Sequence, residues 1–249
     1  MTASSDFKDH FSDQSAQYAR HRPHYPDELF HFLEKLTTHR RLAWDCATGS
    51  GQAAIALSKH FDEVIATDAS AAQIDSAVAH TGVSYRVAEA EDSGLNNASA
   101  DLITVGQALH WFDIERFFAE ATRVLDSSGI LAVWCYELCK VTNTCDAVVD
   151  ELYTDIVRDL WPPERRLIEE RYAGIVMPGF ELDAPTLDMK VSWSVVDMLG
   201  YLRTWSACNR YERTHGRDPV AMIEEPLRAA WGTDVRTVRW PLTLRVSRL

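Results

Sequence analysis

Two carboxylates and two glycines in the first third of the chain have the spacing of a nucleoside-binding turn. Asp45 ends a short apolar run, Gly49 and Gly51 follow it, and Asp68 ends the next apolar run. Glycines let a ligand approach the backbone closely, and a helix that follows them exposes unpaired N–H groups at its start. A carboxylate at the end of the second strand can accept both hydroxyls of a ribose. These residues therefore predict a nucleoside pocket.

Two ligand classes fit the turn. Gly49, Gly51 and Ala54 satisfy the G-x-G-x-x-G/A pattern of dinucleotide-binding proteins, and Asp45 with Ala47 and the same two glycines satisfies D-x-[GA]-x-G-x-G, which is typical of S-adenosylmethionine (SAM) methyltransferases. An acid at position 45 would repel a pyrophosphate, whereas it attracts the sulfonium and ammonium of SAM. SAM is therefore favoured. A nicotinamide-dependent oxidoreductase, a SAM-binding module without catalysis and an ordinary turn are the alternatives.

The surrounding pattern places this turn in a β-α-β unit. Apolar runs at 42–44 and 64–66 predict buried strands, and helix-forming residues from Gln52 onward lie between them. The two strands should be parallel with a right-handed crossover. Further strands are predicted at 83–88, 101–105, 130–136, 186–193 and 235–247, with helices at 27–39, 71–80 and 113–125.

After residue 140 the alternation of strands and helices breaks. Helices predicted at 143–160 and 164–173 make 140–180 a largely helical insertion, and helices at about 195–213 and 218–230 place further cap elements within 195–231. We predict one α/β domain over residues 1–249 with a doubly wound, Rossmann-like, seven-stranded mixed sheet. Its last strand should be antiparallel, and a helical cap should cover the substrate.

Composition narrows the class of function. The 249 residues carry a formal net charge of −12, which disfavours nucleic acid and anionic membranes as partners and leaves a small-molecule substrate. The five cysteines are odd in number and lack metal-binding spacing, so we expect reduced thiols and no metal. Without an apolar leader or a membrane-length apolar run, the protein is expected to be cytoplasmic. The oligomeric state is left open.

The chain resembles class I SAM-dependent methyltransferases, and within them the small-molecule group that includes trans-aconitate methyltransferases. The resemblance is carried by AQYARHRPHYP, WDCATGSGQAAIAL, VIATDASAAQI, VAEAED, QALHWFDIERFFAEATRVLDSSGILAVW and GYLRTWSA. Two departures stand out: Ala47 replaces the usual first glycine, and Asp126, Ser127 and Ser128 replace a usual basic-Pro-Gly turn. Alanine is small enough for SAM still to fit.

The resemblance implies a set of cofactor contacts. Residues around Asp45 would hold the methionine part, Asp68 the ribose, Ala69 the adenine face, and the backbone of Ala90 the adenine edge, with Glu89 or Glu91 beside it. Gln107 and Ala108 would border the sulfonium. The complete predicted set is Asp45, Ala47, Thr48, Gly49, Gly51, Asp68, Ala69, Ala90, Glu91, Gln107 and Ala108.

His110 and Trp111 are the predicted catalytic residues, because they lie where the substrate should enter. Methyl transfer depends mainly on aligning the nucleophile, the methyl group and the sulfur and on excluding water. A carboxylate acceptor is already ionised at neutral pH, so His110 would orient or bind it rather than deprotonate it. A structural histidine packed on Trp111 is the alternative.

Two further groups could bind an acidic substrate. Residues 1–26 are predicted to form an N-terminal lid arm, in which Tyr18, Arg22 and Tyr25 could hold an anion or simply pack the arm on the core. Arg203 and Arg210 are seven residues apart, which would place them on one helix face beside aromatic residues. They could bind a polycarboxylate, or form surface salt bridges instead.

Overall fold

A computed structural model describes residues 23–249. Its amino-terminal half alternates strands and helices as the sequence predicts. In chain order the elements are α1 (Asp27–Leu36), β1 (Leu42–Cys46), α2 (Gln52–Leu57), β2 (Glu63–Asp68), α3 (Ala71–Ser76), β3 (Val83–Val87), β4 (Ala100–Gly106), a 3₁₀ turn (Leu109–Trp111), α4 (Ile114–Val124) and β5 (Leu125–Tyr136).

The carboxyl-terminal half is mostly helical before the chain returns to the sheet. It contains α5 (Asn143–Glu151), a π turn (Leu152–Ile156), 3₁₀ turns at Arg158–Leu160 and Val220–Met222, α6 (Arg165–Glu169), β6 (Phe180–Leu182), β7 (Leu187–Trp193), α7 (Val195–Arg203), α8 (Ser206–His215), α9 (Glu224–Trp231) and β8 (Arg236–Arg248).

The strands form one mixed sheet in the order β3-β2-β1-β4-β5-β8, with β6 and β7 both paired to the outer edge of β8. The first five strands pair in parallel, whereas β8 is antiparallel to β5. The short β6 pairs with Val246 to Arg248 at the end of β8, and β7 pairs with Arg236 to Leu242 of the same strand. The sheet thus has seven positions and eight strands, because two strands share the last position. The predicted doubly wound fold with an antiparallel last strand is confirmed.

Hydrophobic layers cover both faces of the sheet. Successive residues of a strand point to opposite faces, so Ala43 belongs to a core with α1, α2 and the helical cap, while Trp44 belongs to a second core with α4. The carboxyl-terminal helices pack on the first face, where Trp193, Tyr201 and Trp240 form a cluster with ring centroids 5.1–5.4 Å apart. The cap is therefore continuous with the core of the domain.

The predicted helix at 195–213 is wrong in one respect that matters for the site. The segment forms two helices, because the Thr204 hydroxyl bonds back to the Tyr201 carbonyl at 2.6 Å and Trp205 is extended. The two arginines that seven-residue spacing would align are therefore on different helices. The segment 143–160, predicted as one helix, is α-helical only as far as Glu151, and a π turn and a 3₁₀ turn follow.

All five cysteines are free and buried. Within residues 23–249 the structure has no helix that is both long enough and apolar enough to cross a membrane.

Candidate functional site

A cavity of about 800 Å³ opens at the carboxyl ends of the parallel strands, which is where ligands bind in open α/β sheets. Its size is within the usual range for small-molecule sites. All of the predicted cofactor-contact residues except Gly51 line it: Asp45, Ala47, Thr48, Gly49, Asp68, Ala69, Ala90, Glu91, Gln107 and Ala108.

Asp45 lies at the bottom of this cavity under the glycine turn and is 1% exposed. Its two carboxylate oxygens accept hydrogen bonds from the hydroxyls of Thr48 at 2.6 Å and Thr104 at 2.7 Å. Burial raises the pKa of Asp45 to about 6, although these hydrogen bonds act in the opposite direction. A buried carboxylate held by neutral partners retains an uncompensated negative charge, which favours a cation in the cavity beside it.

Asp68 at the end of β2 positions the glycine turn. Its Oδ2 accepts from the backbone N–H of Gly49 at 3.0 Å, and its Oδ1 accepts from that of Ser70 at 2.9 Å. These two hydrogen bonds fix the carboxylate in the cavity wall.

Three residues of the turn have left-handed backbone conformations: Ala47 (φ 55°), Gly49 (φ 56°) and Gly51 (φ 86°). The alanine at the first of these positions adopts the conformation that glycine adopts most easily, at a cost of roughly 1 kcal/mol. Gly51 precedes α2 directly, and a Cβ there would overlap the hydroxyl of Tyr85. Gly51 therefore shapes the turn from behind rather than lining the cavity.

The residue after Gly51 connects the turn to the described end of the N-terminal arm. The side-chain amide of Gln52 donates to the Pro23 carbonyl at 3.2 Å and accepts from the Tyr25 backbone N–H at 3.3 Å. Tyr25 lines the cavity and packs edge-on against Trp134, with ring centroids 5.2 Å apart. The other two predicted arm residues, Tyr18 and Arg22, lie outside the described residues.

At the predicted adenine end, Ala90 and Glu91 lie on a loop that α4 fixes in place. The Glu120 carboxylate accepts from the backbone N–H and the hydroxyl of Ser93, at 2.8 and 2.5 Å, and pairs with Arg123. These hydrogen bonds, with that of Arg123 first, lower the pKa of Glu120 to about 2. The sequence analysis did not predict these contacts, because Ser93 and Glu120 are 27 residues apart. The only local signal is the E-x-x-R spacing of Glu120 and Arg123 on one helix.

Gln107 connects the fourth strand to the cavity. It has a left-handed backbone (φ 56°), and its side-chain amide accepts from the Tyr136 N–H at 2.7 Å and donates to the Tyr136 carbonyl at 3.3 Å. The amide thus extends the pairing of β4 with β5 by one residue. Both its side-chain amide and its backbone N–H, which donates to the Trp134 carbonyl at 2.8 Å, are engaged with the sheet.

The two predicted catalytic residues are placed differently. Trp111 lines the cavity, whereas His110 is not among the described lining residues. His110 is 7% exposed, and its Nδ1 lies 3.0 Å from the hydroxyl of the buried Tyr172. Burial, assisted by the positive charge of Arg165, lowers the pKa of His110 to about 3. The ring is neutral near pH 7 and packs against Trp111 at 4.7 Å between centroids.

The structure does not bring Arg203 and Arg210 to the described cavity lining. Arg203 pairs with Asp218 at 2.7 Å and with Glu224 at 3.2 Å. Arg210 donates from Nη1 to the Leu160 carbonyl at 3.1 Å. The interactions that the structure shows for both side chains are therefore with neighbouring parts of the cap.

The charge of the lining distinguishes between the two ligand classes that fit the glycine turn. One guanidinium, that of Arg116, is present among the described lining residues, against six carboxylates: Asp45, Asp68, Glu89, Glu91, Asp113 and Glu164. A pyrophosphate would be repelled here, whereas a sulfonium with an ammonium would be attracted. Residues 23–249 contain no cluster of side chains suited to a metal ion.

Comparison with known proteins shows that the chain is similar to methyltransferases. Residues 44–133 match the model of a methyltransferase domain family. A solved structure of a candidate type II methyltransferase from Anaeromyxobacter dehalogenans is 44% identical with a TM-score of 0.86, over 91% of this chain and 97% of the other.

Two curated relatives extend this likeness. A candidate methyltransferase from Dictyostelium discoideum is 38% identical over 232 residues, which are 91% of this chain and 88% of its own length. A candidate SAM-dependent methyltransferase from Saccharomyces cerevisiae is 31% identical over 132 residues, which are 49% of this chain and 45% of its own length.

Proposed function

This chain belongs to the class I SAM-dependent methyltransferases, and from that premise we propose that it transfers the methyl group of SAM to a small carboxylic acid to form a methyl ester. The narrower relation to trans-aconitate methyltransferases is part of the same proposal.

One observation supports the cofactor most directly. Asp45, the penultimate residue of β1, and Asp68, the last residue of β2, lie on adjacent parallel strands, flank one glycine turn and line one cavity. The first carboxylate is buried with two neutral hydroxyl partners, and the second is fixed by two backbone N–H groups. A ligand with a cationic end and a ribose matches both carboxylates, and SAM is such a ligand.

The rest of the cavity accommodates the other parts of SAM. Ala69 and Ala90 are small residues at the adenine end, where a larger side chain would occupy the space of the ring. Glu91 accepts from the Asp113 backbone N–H at 2.8 Å and so closes that end. The backbone at Gln107 and Ala108 would face the sulfonium, and Trp111 forms the wall toward the acceptor.

SAM bound here would supply an electrophilic methyl group to a carboxylate oxygen of the acceptor, and the electron pair of the C–S bond would remain on the sulfur of the product S-adenosylhomocysteine. The protein's contribution is alignment and exclusion of water. The charge of Asp45 would hold the cationic end of SAM, Trp111 would shield the reacting side, and the neutral His110 packs against Trp111. No side-chain base is needed, because the acceptor acid is ionised at neutral pH.

The decisive test measures binding and product together. Calorimetric titration should give heat with SAM and with S-adenosylhomocysteine but none with NADH. Incubation with methyl-labelled SAM and a pool of small acids should give a labelled product that base hydrolyses, since esters are base-labile and N- or C-methyl groups are not. No SAM binding in a folded sample contradicts the proposal, and a base-stable product contradicts ester formation.

Substitution of the ribose-side carboxylate tests the site itself. Asp68→Ala should weaken S-adenosylhomocysteine binding by about 30-fold or more, because two charge-assisted hydrogen bonds are lost. Asp75→Ala, on the exposed part of α3, is the matched control and should bind as the wild type does. Equal affinities of the two variants would reject the ribose assignment.

A further inference from the structure

One arginine of the cap has the aromatic surroundings that were predicted for Arg203 and Arg210. The Arg165 guanidinium carbon lies 4.9 Å from the ring centroid of Trp161 and 5.5 Å from that of Tyr153. Two aromatic rings hold a guanidinium by cation–π attraction and restrict its rotamers. Arg165 is therefore an ordered, half-buried cation rather than a mobile surface charge.

Most of the hydrogen-bonding capacity of Arg165 is unused among the residues that the structure describes. Its Nε donates to the Tyr153 hydroxyl at 3.0 Å, and that hydroxyl donates to the carboxylate of Glu169. Within residues 23–249, no group accepts a hydrogen bond from the two terminal Nη atoms of Arg165, and no carboxylate pairs with it. By contrast, Arg166 pairs with Glu170 and Arg171 pairs with Glu137.

Beside this guanidinium lies a second donor without a partner. The indole Nε1 of Trp161 is buried and has no acceptor within the described part of the chain. Buried donors are nearly always paired in folded proteins, so an orphan donor is unusual and needs an explanation. A ligand oxygen that binds Arg165 could also accept from Trp161.

Arg165 lies near the acceptor end of the cavity, although neither it nor Trp161 is among the described lining residues. The preceding residue, Glu164, lines the cavity, and α6 packs against the 3₁₀ turn that carries Trp111. The guanidinium is close enough to His110 to contribute to the lowered pKa of that imidazole. Since His110 is neutral, it cannot provide the positive charge that an acid needs at this end.

An anionic acceptor would need such a cation, because the described lining is strongly acidic. Six carboxylates in the described lining would repel an anionic acceptor, and Arg116 lies at the other end, on α4 next to the Asp113 that Glu91 holds. We propose that the terminal Nη groups of Arg165, with the Trp161 indole N–H beside them, form the subsite that binds a non-reacting carboxylate of the methyl acceptor. This proposal rests on the proposed function and specifies the acceptor as an acid with at least two carboxylates.

The experiment titrates protein saturated with S-adenosylhomocysteine with succinate, glutarate and tricarballylate, and with succinamide as the uncharged analogue. The wild type should bind at least one of the carboxylates and not succinamide. Arg165→Met should weaken that binding at least tenfold, because a bidentate charged contact is lost. Arg166→Met removes a charge from the adjacent, largely exposed position and should leave the affinity within twofold.

Two further variants separate binding from folding. Arg165→Lys keeps the charge without the planar fork and should show an intermediate loss, and Trp161→Phe keeps the ring without the N–H and should weaken binding a few-fold. All variants should bind S-adenosylhomocysteine as the wild type does, and with labelled SAM the loss should appear in KM rather than kcat.

The outcomes are distinct for the two proposals. If S-adenosylhomocysteine binds but none of the carboxylates does, or if Arg165→Met binds them as tightly as Arg166→Met, the subsite is rejected while the cofactor site stands. If S-adenosylhomocysteine itself does not bind the folded wild type, the proposed function fails first. If Arg165→Met does not fold, Arg165→Lys decides, and an unchanged affinity in that variant rejects bidentate binding.

Discussion

At the scale of a single residue, the buried charge of Asp45 destabilises the ligand-free protein, and we propose that the same charge attracts the cationic end of the cofactor. Its pKa rises from 3.8 to about 6 on folding, mainly because it is buried. For a carboxyl whose folded pKa is raised, the favourable contribution to stability is present below pH 3.8 and is lost as the pH rises through about 6. At pH 7.5 the ionised side chain therefore lowers the free energy of unfolding.

We expect Asp45→Asn to make the ligand-free protein more stable at pH 7.5, by about 1 to 3 kcal/mol, because the buried charge is removed and both threonine hydroxyls can still pair with the amide. The same variant should bind SAM at least tenfold more weakly. Chemical denaturation and calorimetric titration measure the two quantities. If Asp45→Asn is less stable than the wild type, interactions of the ionised carboxylate within the protein outweigh the cost of burying it.

Asp101 is the matched control on the same sheet. It accepts from the backbone N–H groups of Arg41 and Leu42 and from the Arg41 guanidinium. Although burial opposes it, these bonds lower the pKa of Asp101, so its stabilisation is present above the unfolded pKa and is lost in acid. Asp101→Asn should therefore destabilise the protein at pH 7.5, which is opposite in sign to Asp45→Asn.

Residue types that act locally could be predicted from the sequence, and those that act through distant partners could not. Asp45, Gly49 and Asp68 are recognisable because strand ends and a glycine turn lie within a 24-residue stretch. His110 contacts Tyr172, which is 62 residues away, and Arg203 pairs with carboxylates 15 and 21 residues further along the chain. The sequence indicated an arginine under aromatic cover, but only the fold shows that Arg165 has that cover.

At the scale of an element, the turn before α2 tolerates a side chain at one glycine and not at the other. Gly49 has open space toward the cavity, with Gln73 Oε1 the nearest atom at 3.9 Å, whereas a Cβ at Gly51 meets Tyr85, whose hydroxyl is held by the Val78 carbonyl at 3.0 Å. We expect Gly51→Ala to lower stability by about 2 to 4 kcal/mol through strain and overlap.

Two other alanine substitutions separate strain from contact. Gly216 also has a positive φ, of 69°, but a Cβ there meets nothing within 4 Å, so Gly216→Ala should cost only about 1 kcal/mol. Gly49→Ala should cost a similar amount of stability but also weaken S-adenosylhomocysteine binding, because its side chain enters the cavity. Thermal unfolding and titration of the three variants test this order, and equal losses for Gly51→Ala and Gly216→Ala would contradict it.

Another element-scale prediction concerns the contact between α2 and the described end of the arm. Gln52→Ala removes both hydrogen bonds to Pro23 and Tyr25, so the Tyr25 amide should exchange with solvent faster, and cofactor affinity should fall about threefold to tenfold. Gln52→Glu keeps an acceptor for the Tyr25 N–H and should exchange more slowly than Gln52→Ala. Hydrogen exchange at residues 23–29 distinguishes the two variants, and equal rates would exclude Gln52 as the anchor.

At the scale of the whole molecule, the negative charge of the chain and of its cavity should discriminate between SAM and its product. SAM carries one more positive charge than S-adenosylhomocysteine, so it gains more from a molecule with a net charge of −12 and an acidic cavity. Raising the salt concentration from 20 to 300 mM should weaken SAM binding about two- to fivefold and leave S-adenosylhomocysteine nearly unchanged. Equal salt dependence of the two ligands would contradict this account.

The topology of the molecule followed from the sequence more completely than its irregular parts did. Apolar runs predicted β1, β2, β4 and β5, because most residues of these strands are buried, whereas β3 is an edge strand whose residues are half-buried or exposed. The break between α7 and α8 depends on the Thr204 hydroxyl competing for a backbone carbonyl, and a helical pattern of apolar residues does not show such competition. The short β6 is only three residues long, and it becomes a strand because β8 is long enough to pair with it beyond β7.

The arrangement around β8 also has a consequence for the order in which the protein can assemble during translation. β5, β6 and β7 all leave the ribosome before β8, the strand with which each of them pairs. Until β8 emerges, the cofactor half can form its parallel core while the cap half lacks a partner edge. The nascent chain should therefore form the proposed SAM pocket before the cap packs against the sheet, and chaperones would meet an exposed β5 edge during that interval.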